Sequence, residues 1–267
     1  MTQLKSKKVV ITGGASGIGK EMAKIVLSKG ISELVLWDYD AVKLDETVVE
    51  LQSWNIPVHS FVVDVSDTGQ IILAARKTLD LIGKADILIN NAGILIGKMF
   101  HEHSHEDITR EMNINALGYM HVAREFLPSM IEQRSGHICN VASAAGLLGN
   151  PRMSIYCASK AAVINWADSL RIEMDQMKTN VKVTIVTPNY IHTDMIPGVK
   201  SVIPILKKEV AAKKIIRGIE RNKAFVRMQF IVSITPILKA ILSIRMFDFF
   251  VGKLLGVYNT MNGFKKN

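Results

Sequence analysis

The chain has 267 residues, 48% hydrophobic and 21% charged, with a formal net charge of +9. That fits one large α/β domain with a full core better than two small ones. Two cysteines, Cys139 in an apolar run and Cys157, argue against a disulfide framework and for buried thiols in a reducing compartment. The opening "MTQLKSKK" has no apolar leader, so a cytoplasmic protein is expected.

Short apolar runs alternate with longer amphipathic stretches. Strands are predicted at 7–12, 34–37, 58–63, 85–90, 136–142 and 181–187, and helices at 18–29, 40–53, 67–82, 105–133 and 155–177. Buried parallel strands read as continuous β-rich runs whose crossovers are helices, so this series predicts a doubly wound parallel sheet with helices on both faces.

The first strand runs into Thr12-Gly13-Gly14-Ala15-Ser16-Gly17-Ile18-Gly19 and then a helix. Glycines at such a turn permit a tight reversal and let a pyrophosphate approach the helix N-terminus, where free N–H groups and the dipole favour anions. A plain tight turn would use the same residues; the position between first strand and first helix favours the binding reading. Asp38 ends the second strand, 19 residues after Gly19. An acidic group there can hydrogen-bond an adenosine ribose and repel a 2′-phosphate, and neither Ser16 nor Tyr39 is basic, which favours NAD over NADP. Asp38 or Asp40 would also serve as a helix N-cap. Asp64-Val65 ends the third strand and Asn90-Asn91-Ala92-Gly93 the fourth, so polar or small residues gather where such sheets bind ligands.

Ser143 ends the fifth strand, and Tyr156 and Lys160 follow in "YCASK". On a helix the phenol and the ammonium share a face, one turn apart. A cation beside a phenol favours phenolate, and bringing a pKa near 10 down to neutral takes roughly 4 kcal/mol. Tyr-x-x-x-Lys alone is common on helices; the surrounding motifs give it weight.

Taken together, TGxxxGIG at 12–19, NNAG at 90–93, Asn115 in "NINALG", Ser143 and YxxxK at 156–160 resemble the short-chain dehydrogenase/reductase family, in order over about residues 5–195. "LVLWD" and the apolar C-terminal stretch look closer to its retinol and 17-beta-hydroxysteroid dehydrogenase branch. The resemblance implies a Rossmann-type NAD-binding catalytic domain over 1–227 and a helical extension over 228–267. It implies Tyr156 as general acid/base and Lys160 as the group that lowers its pKa and holds the nicotinamide ribose. Ser143 would be the donor to the substrate oxygen, and Asn115 would position a water that links Lys160 to solvent. Gly13, Ser16, Gly17, Ile18, Gly19, Asp38, Asp64, Val65, Asn91, Ala92, Gly93, Pro188, Ile191 and Thr193 would complete the NAD site. Asn189 stands where the family has glycine, and Asn tolerates the left-handed conformation the turn would need.

Residues 194–206 are expected to form an apolar lid and, with Met99 and Phe100, to suit a lipophilic alcohol, ketone or aldehyde. His101, His103 and His105 have no Cys/His partner motif, so no metal is expected. The long helices at 107–131 and 155–177 are expected to join subunits into a homodimer or homotetramer. Two alternatives stay open: an NADP-dependent carbonyl reductase, and a nucleotide-binding regulatory protein without turnover.

Residues 200–267 hold 14 Lys and Arg against 3 Asp and Glu, so the excess basicity is C-terminal. No aromatic-basic interleaving accompanies it, which argues against nucleic acid. Thr235-Pro236 reads as a helix start, followed by apolar stripes through Leu255 and broken by Lys239, Arg245 and Lys253. The uncharged runs are too short to span a bilayer. The stripes therefore either cap the core or an interface, or lie on a membrane surface with the basic groups at anionic headgroups.

Overall fold

The computed structural model describes residues 1–265. Seven parallel strands form one sheet: β1 Lys8–Thr12, β2 Glu33–Asp38, β3 Val58–Val62, β4 Ile87–Asn90, β5 Gly136–Val141, β6 Val181–Thr187 and β7 Phe225–Arg227. Their order is β3-β2-β1-β4-β5-β6-β7, so the winding reverses between β1 and β4. A crevice opens there at the carboxyl ends of the strands. The six predicted strands are present. The seventh was missed because three residues on an edge carry too little pattern.

The crossovers are α1 Gly17–Ser28, α2 Ala41–Leu51, α3 Thr68–Ile82, α4 His105–Met112, α5 Gly118–Glu132, α6 Ser154–Gln176 and α7 Lys208–Glu220. They bury their apolar stripes on the two faces of the sheet. One core gathers Trp37, Phe126, Tyr119 and Val163, and the other Leu36, Met22, Val26 and Ile215. Trp37 is fully buried, satisfied by donating to Thr78 Oγ1 at 3.1 Å. Left unsatisfied, a buried indole N–H on β2 would be costly.

The predicted helix over 105–133 is interrupted. Asn113–Leu117 is a π-helical turn between α4 and α5, and it carries Asn115. The extra residue offsets the faces of the two helices, a device found mostly at functional sites. The apolar residues of α5 and α6, Val122, Phe126, Met130, Val163, Ala167 and Leu170, are spent on the sheet.

The C-terminal part departs further from expectation. Helix α7 was not foreseen, and its Ala211, Ala212, Ile215 and Ile219 are buried in the core that also holds Met22 and Val26 of α1. Much of the C-terminal basicity therefore belongs to α7 and its flanks; residues 228–265 carry Lys239, Arg245, Lys253 and Lys265 against Asp248. Helix α8 spans Phe230–Ile241 and starts after Gln229, so Thr235-Pro236 lies inside it. Thr235 is no N-cap: its hydroxyl donates to the Ile231 carbonyl one turn back, at 2.8 Å. Helix α9, Ile244–Phe247, a π-helical turn over Asp248–Leu254 and a 3-10 turn over Val257–Asn259 complete the tail. No helix among the described residues is long and apolar enough to cross a membrane.

Candidate active site

The crevice holds one large cleft with a cavity volume of about 310 Å³, running from the glycine turn to the C-terminal tail. At its near end the glycines do what only glycine can. Gly13 and Gly17 have φ of +64° and +53°, and a Cβ on Gly19 would stand 1.9 Å from the Gly13 carbonyl oxygen. Ser16 is the exposed N-cap of α1, its hydroxyl makes no capping bond, and the first turn holds no acid. The opening N–H groups are thus free for an anion, so the turn fits a pyrophosphate.

The turn is braced from β4. Thr12 Oγ1 accepts from the backbone N–H groups of Asn91 and Ala92 at 3.0 and 3.2 Å, while Asn91 Nδ2 donates to the Thr12 and Gly13 carbonyls. Asn91 therefore holds the glycine turn in shape. Asn90 turns inward and donates to Asn140 Oδ1 at 2.9 Å, tying β4 to β5.

Asp38 lines the cleft, and its carboxylate accepts from Ala15 N at 2.9 Å and from Asp40 N at 3.1 Å. The cap of α2 is Asp40, which accepts from Lys43 N. Asp38 thus fastens β2 to the glycine turn and keeps lone pairs for a ribose. Asp64 is engaged by the hydroxyl and N–H of Ser66 while it and Val65 line the same wall.

Ser143, Tyr156 and Lys160 converge on the middle of the cleft. Ser143 Oγ accepts from Ala145 N at 3.1 Å, and the Pro188 carbonyl accepts from Ala144 N at 2.7 Å, which seats the serine turn against β6. Asn189 is not among the residues with positive φ, so its place after Pro188 asks for no left-handed conformation. Lys160 is 3% exposed and donates to the Val141 carbonyl at 3.0 Å and to Tyr119 Oη at 3.3 Å. Its Nζ lies 5.8 Å from the centre of the Tyr156 ring. Burial draws the ammonium down to about 7, opposed by Glu111, and pushes the Tyr156 phenol up, opposed by a hydrogen bond with Ser143. Desolvation thus sets the direction for the phenol, against the lowering by Lys160 that the sequence leads one to expect.

Asn115 is completely buried, and its amide pairs with the backbone of Ile94, accepting from N–H and donating to C=O, both at 2.9 Å. A Cβ on Gly93 would lie 3.1 Å from Asn115 Oδ1 and 3.6 Å from Lys160 Nζ, so glycine keeps the space between them narrow and open. Glu111, one turn before Asn115, escaped the sequence reading. It is fully buried, accepts from Ile96 N at 3.1 Å through one oxygen, and its other oxygen has no partner. Burial raises it to about 7. An acid in an otherwise polar helical stretch gave no sign that it would point inward.

Ile191 and Thr193 line the cleft beyond β6, and Thr193 Cγ2 is 3.6 Å from where a Cβ on Gly17 would stand. The segment 194–206, where a lid is expected, is pinned at its far end by the bridge between Ile191 and Leu206. The tail is strapped to this segment. Lys200 N donates to the Thr260 carbonyl, Lys265 N to that of Pro197, and a Cβ on Gly198 would lie 2.0 Å from the Gly263 carbonyl oxygen. Ile231, Val232, Val251 and Leu255 of the tail face the cleft. His103 of "HEHSH" contacts the Lys98 carbonyl, and no group of three or more potential ligands is placed to hold a metal among the described residues.

The family model described as short chain dehydrogenase matches residues 7–202. Epidermal retinol dehydrogenase 2 of Mus musculus is 33% identical over 262 residues, 96% of this chain and 84% of that protein. Estradiol 17-beta-dehydrogenase 11 of Homo sapiens is 30% identical over 259 residues, 96% of this chain and 86% of the other. A short chain dehydrogenase/reductase from Burkholderia phymatum, solved in complex with NAD, superposes with a TM-score of 0.81 at 27% identity, covering 94% of this chain and 97% of that one.

Proposed function

This chain belongs to the short-chain dehydrogenase family, and we propose that it moves a hydride between NAD(H) and a lipophilic alcohol and its ketone or aldehyde. The observation that carries this reading is one crevice in which an uncapped glycine turn and a Ser143–Tyr156–Lys160 cluster share a cleft with apolar far walls. NAD fits the near end through Gly13, Ser16, Gly17, Ile18 and Gly19 at the pyrophosphate and Asp38 at the ribose. When bound, the nicotinamide supplies the hydride acceptor or donor.

The chain's own groups handle the proton. Tyr156 gives its phenolic proton to the carbonyl oxygen in reduction and takes one from the alcohol in oxidation. Ser143 donates to the same oxygen, and Lys160, when protonated, supplies a positive potential that opposes the cost of burying a phenolate. Asn115 is a positioning residue that fixes the loop after β4 beside Lys160. The walls from 194–206 and from the described part of the extension, 228–265, exclude water and take the apolar body of the substrate.

Two associations complete the proposal. Leu117, Ile172 and Met177 leave apolar surface on the outer sides of α5 and α6 or beside them, and a second copy would cover it in a homodimer or tetramer. The outer face of the tail would contact a membrane surface peripherally. The test of function is an NADH- and NADPH-linked screen of hydrophobic carbonyls in detergent or liposomes with the Tyr156→Phe protein alongside. Near-normal rates in that variant would sink the mechanism.

A further inference from the structure

At the tail end of the cleft, three polar side chains from distant parts of the chain meet within an apolar wall: Asn150 from the turn before α6, Tyr190 from the loop after β6, and Thr260 from the tail. Asn150 Nδ2 donates to Tyr190 Oη at 3.0 Å and to Thr260 Oγ1 at 3.1 Å. The two hydroxyls are 2.7 Å apart, and Thr260 donates its proton to the Val257 carbonyl at 2.8 Å. The proton between the hydroxyls therefore comes from Tyr190. Both amide hydrogens and both hydroxyl hydrogens are then committed, and Thr260 Oγ1 accepts twice, which fills it.

One atom is left over. Asn150 Oδ1 is buried and has no partner, in a residue 8% exposed. A buried amide oxygen without a donor costs on the order of 1–3 kcal/mol, a cost that a ligand carrying a donor recovers.

We propose that Asn150 Oδ1 anchors a second hydroxyl of the substrate, away from the reacting carbon, so that the preferred substrates are lipophilic hydroxy-carbonyls and the corresponding diols. This deepens, and rests on, the oxidoreductase reading of the same cleft. Because every donor in the cluster is spent, a ketone, ester or carboxylate brought there meets an acceptor and gains nothing. An ammonium has the hydrogens but would be buried beside Met153, Leu255 and Val257 with no carboxylate in the cluster to pair with. Tyr190 and Thr260 are positioning residues: they hold the amide so that its oxygen, not its nitrogen, is the free end.

The anchor is read by calorimetry, which needs no turnover. The full chain is titrated with α,ω-alkanediols and with the 1-alkanols of matching length, with NADH binding and hydride transfer measured on the same preparation. In the wild type at least one diol binds about 5- to 10-fold tighter than its alkanol, as one recovered hydrogen bond predicts, and Asn150→Leu removes the ratio. Equal affinities at every length, or a ratio that survives Asn150→Leu, overturns the proposal. Tyr190→Phe decides independently if Asn150→Leu does not fold. It frees one amide N–H, so a terminal methyl ketone of the same length gains affinity over wild type while the diol preference persists; no gain for the ketone overturns the proposal. Failure of NADH binding and hydride transfer in the same preparation sinks the oxidoreductase reading and leaves the calorimetric result to judge the anchor.

Discussion

Lys160 and Tyr156 face the same cleft with the ammonium nitrogen 5.8 Å from the phenol ring centre, yet the lysine's hydrogen bonds go to the Val141 carbonyl and Tyr119. Its influence on the phenol is thus through space, and burial of both groups works against their charged forms. Two consequences follow for the variants. Tyr156→Phe keeps the packing and removes the proton donor, so kcat falls by roughly 10²–10⁴ while the Kd for NADH changes little. Ser143→Ala loses most activity as well, and its loss appears in kcat more than in KM.

Replacing Gly19 by alanine places a methyl group against the backbone carbonyl of Gly13, 1.9 Å away, and backbone cannot yield as a flexible side chain does. NADH binding is expected to fall by more than tenfold and thermal stability with it. Gly149, whose Cβ would meet nothing within 4 Å, is the control: Gly149→Ala leaves both unchanged. Equal behaviour of the two alanine variants in fluorescence titration of NADH would count against the glycine turn as the pyrophosphate site.

A preference for NADH over NADPH is expected in the wild type, read as the ratio of kcat/KM values, and Asp38→Ala relaxes it because the charge that repels a 2′-phosphate is gone. The structure adds a second effect. Asp38 accepts from the Ala15 and Asp40 N–H groups, so the alanine variant also loses about 1–3 kcal/mol of stability through the buried Ala15 N–H. A wild type that prefers NADPH would refute the cofactor assignment.

Glu111 makes stability depend on pH in a defined direction. Its acidity is weakened from the ordinary 4.5 to about 7 by burial, so between those values the folded chain holds a proton that the unfolded chain has released. The stability this contributes is fully present below about 4.5 and is lost as pH rises through about 7. Glu111→Gln keeps an oxygen for Ile96 N–H and removes the titration. The variant is expected to match the wild type near pH 4.5 and to exceed it by about 3 kcal/mol at pH 8. Parallel denaturant curves for the two proteins across this range would remove Glu111 from the account.

The sheet and the near half of the site were legible because their signals are local. A β-rich run followed by glycines and a helix defines the glycine turn within a dozen residues, and Ser143, Tyr156 and Lys160 lie within one strand-loop-helix unit. The far half was not legible, for it is assembled from separated pieces. The contacts of Thr260 with Asn150 and of Gly198 with Gly263 depend on the tail's return over residues 194–206, which no periodicity encodes. Asn91 lines the cleft where the sequence places it, and its side chain also supports the glycine turn, which the residue type alone does not reveal. Helix α7 was hidden by its lysines, which made an amphipathic crossover look like a basic tail.

The same tail has two apolar faces, and the outer one carries the last prediction. Val232, Thr235 and Val251 face inward and are buried, whereas Phe230, Ile237, Ile241, Ile244, Phe249 and Leu254 are each more than half exposed. On α8, residues 230, 237 and 241 fall on one side of the helix, so the exposed groups form a stripe rather than a scatter. Arg245 and Lys253 are exposed in the two turns that follow α8, and the one acid of the segment, Asp248, accepts from the Tyr258 hydroxyl. An apolar stripe with basic flanks suits the boundary between anionic headgroups and acyl chains. Truncation is a poor test, since the inner face of the tail is part of the cleft wall. The triple variant Ile237→Ser, Ile241→Ser, Ile244→Ser changes the outer face alone. The wild type is expected to co-sediment with anionic vesicles at low salt and less with neutral ones, and the variant to stay in the supernatant with its NADH affinity intact. Equal recovery of both proteins in the supernatant would remove the membrane reading and leave this face to a second copy of the chain, which light scattering as a function of concentration would then detect in the wild type and not in the variant.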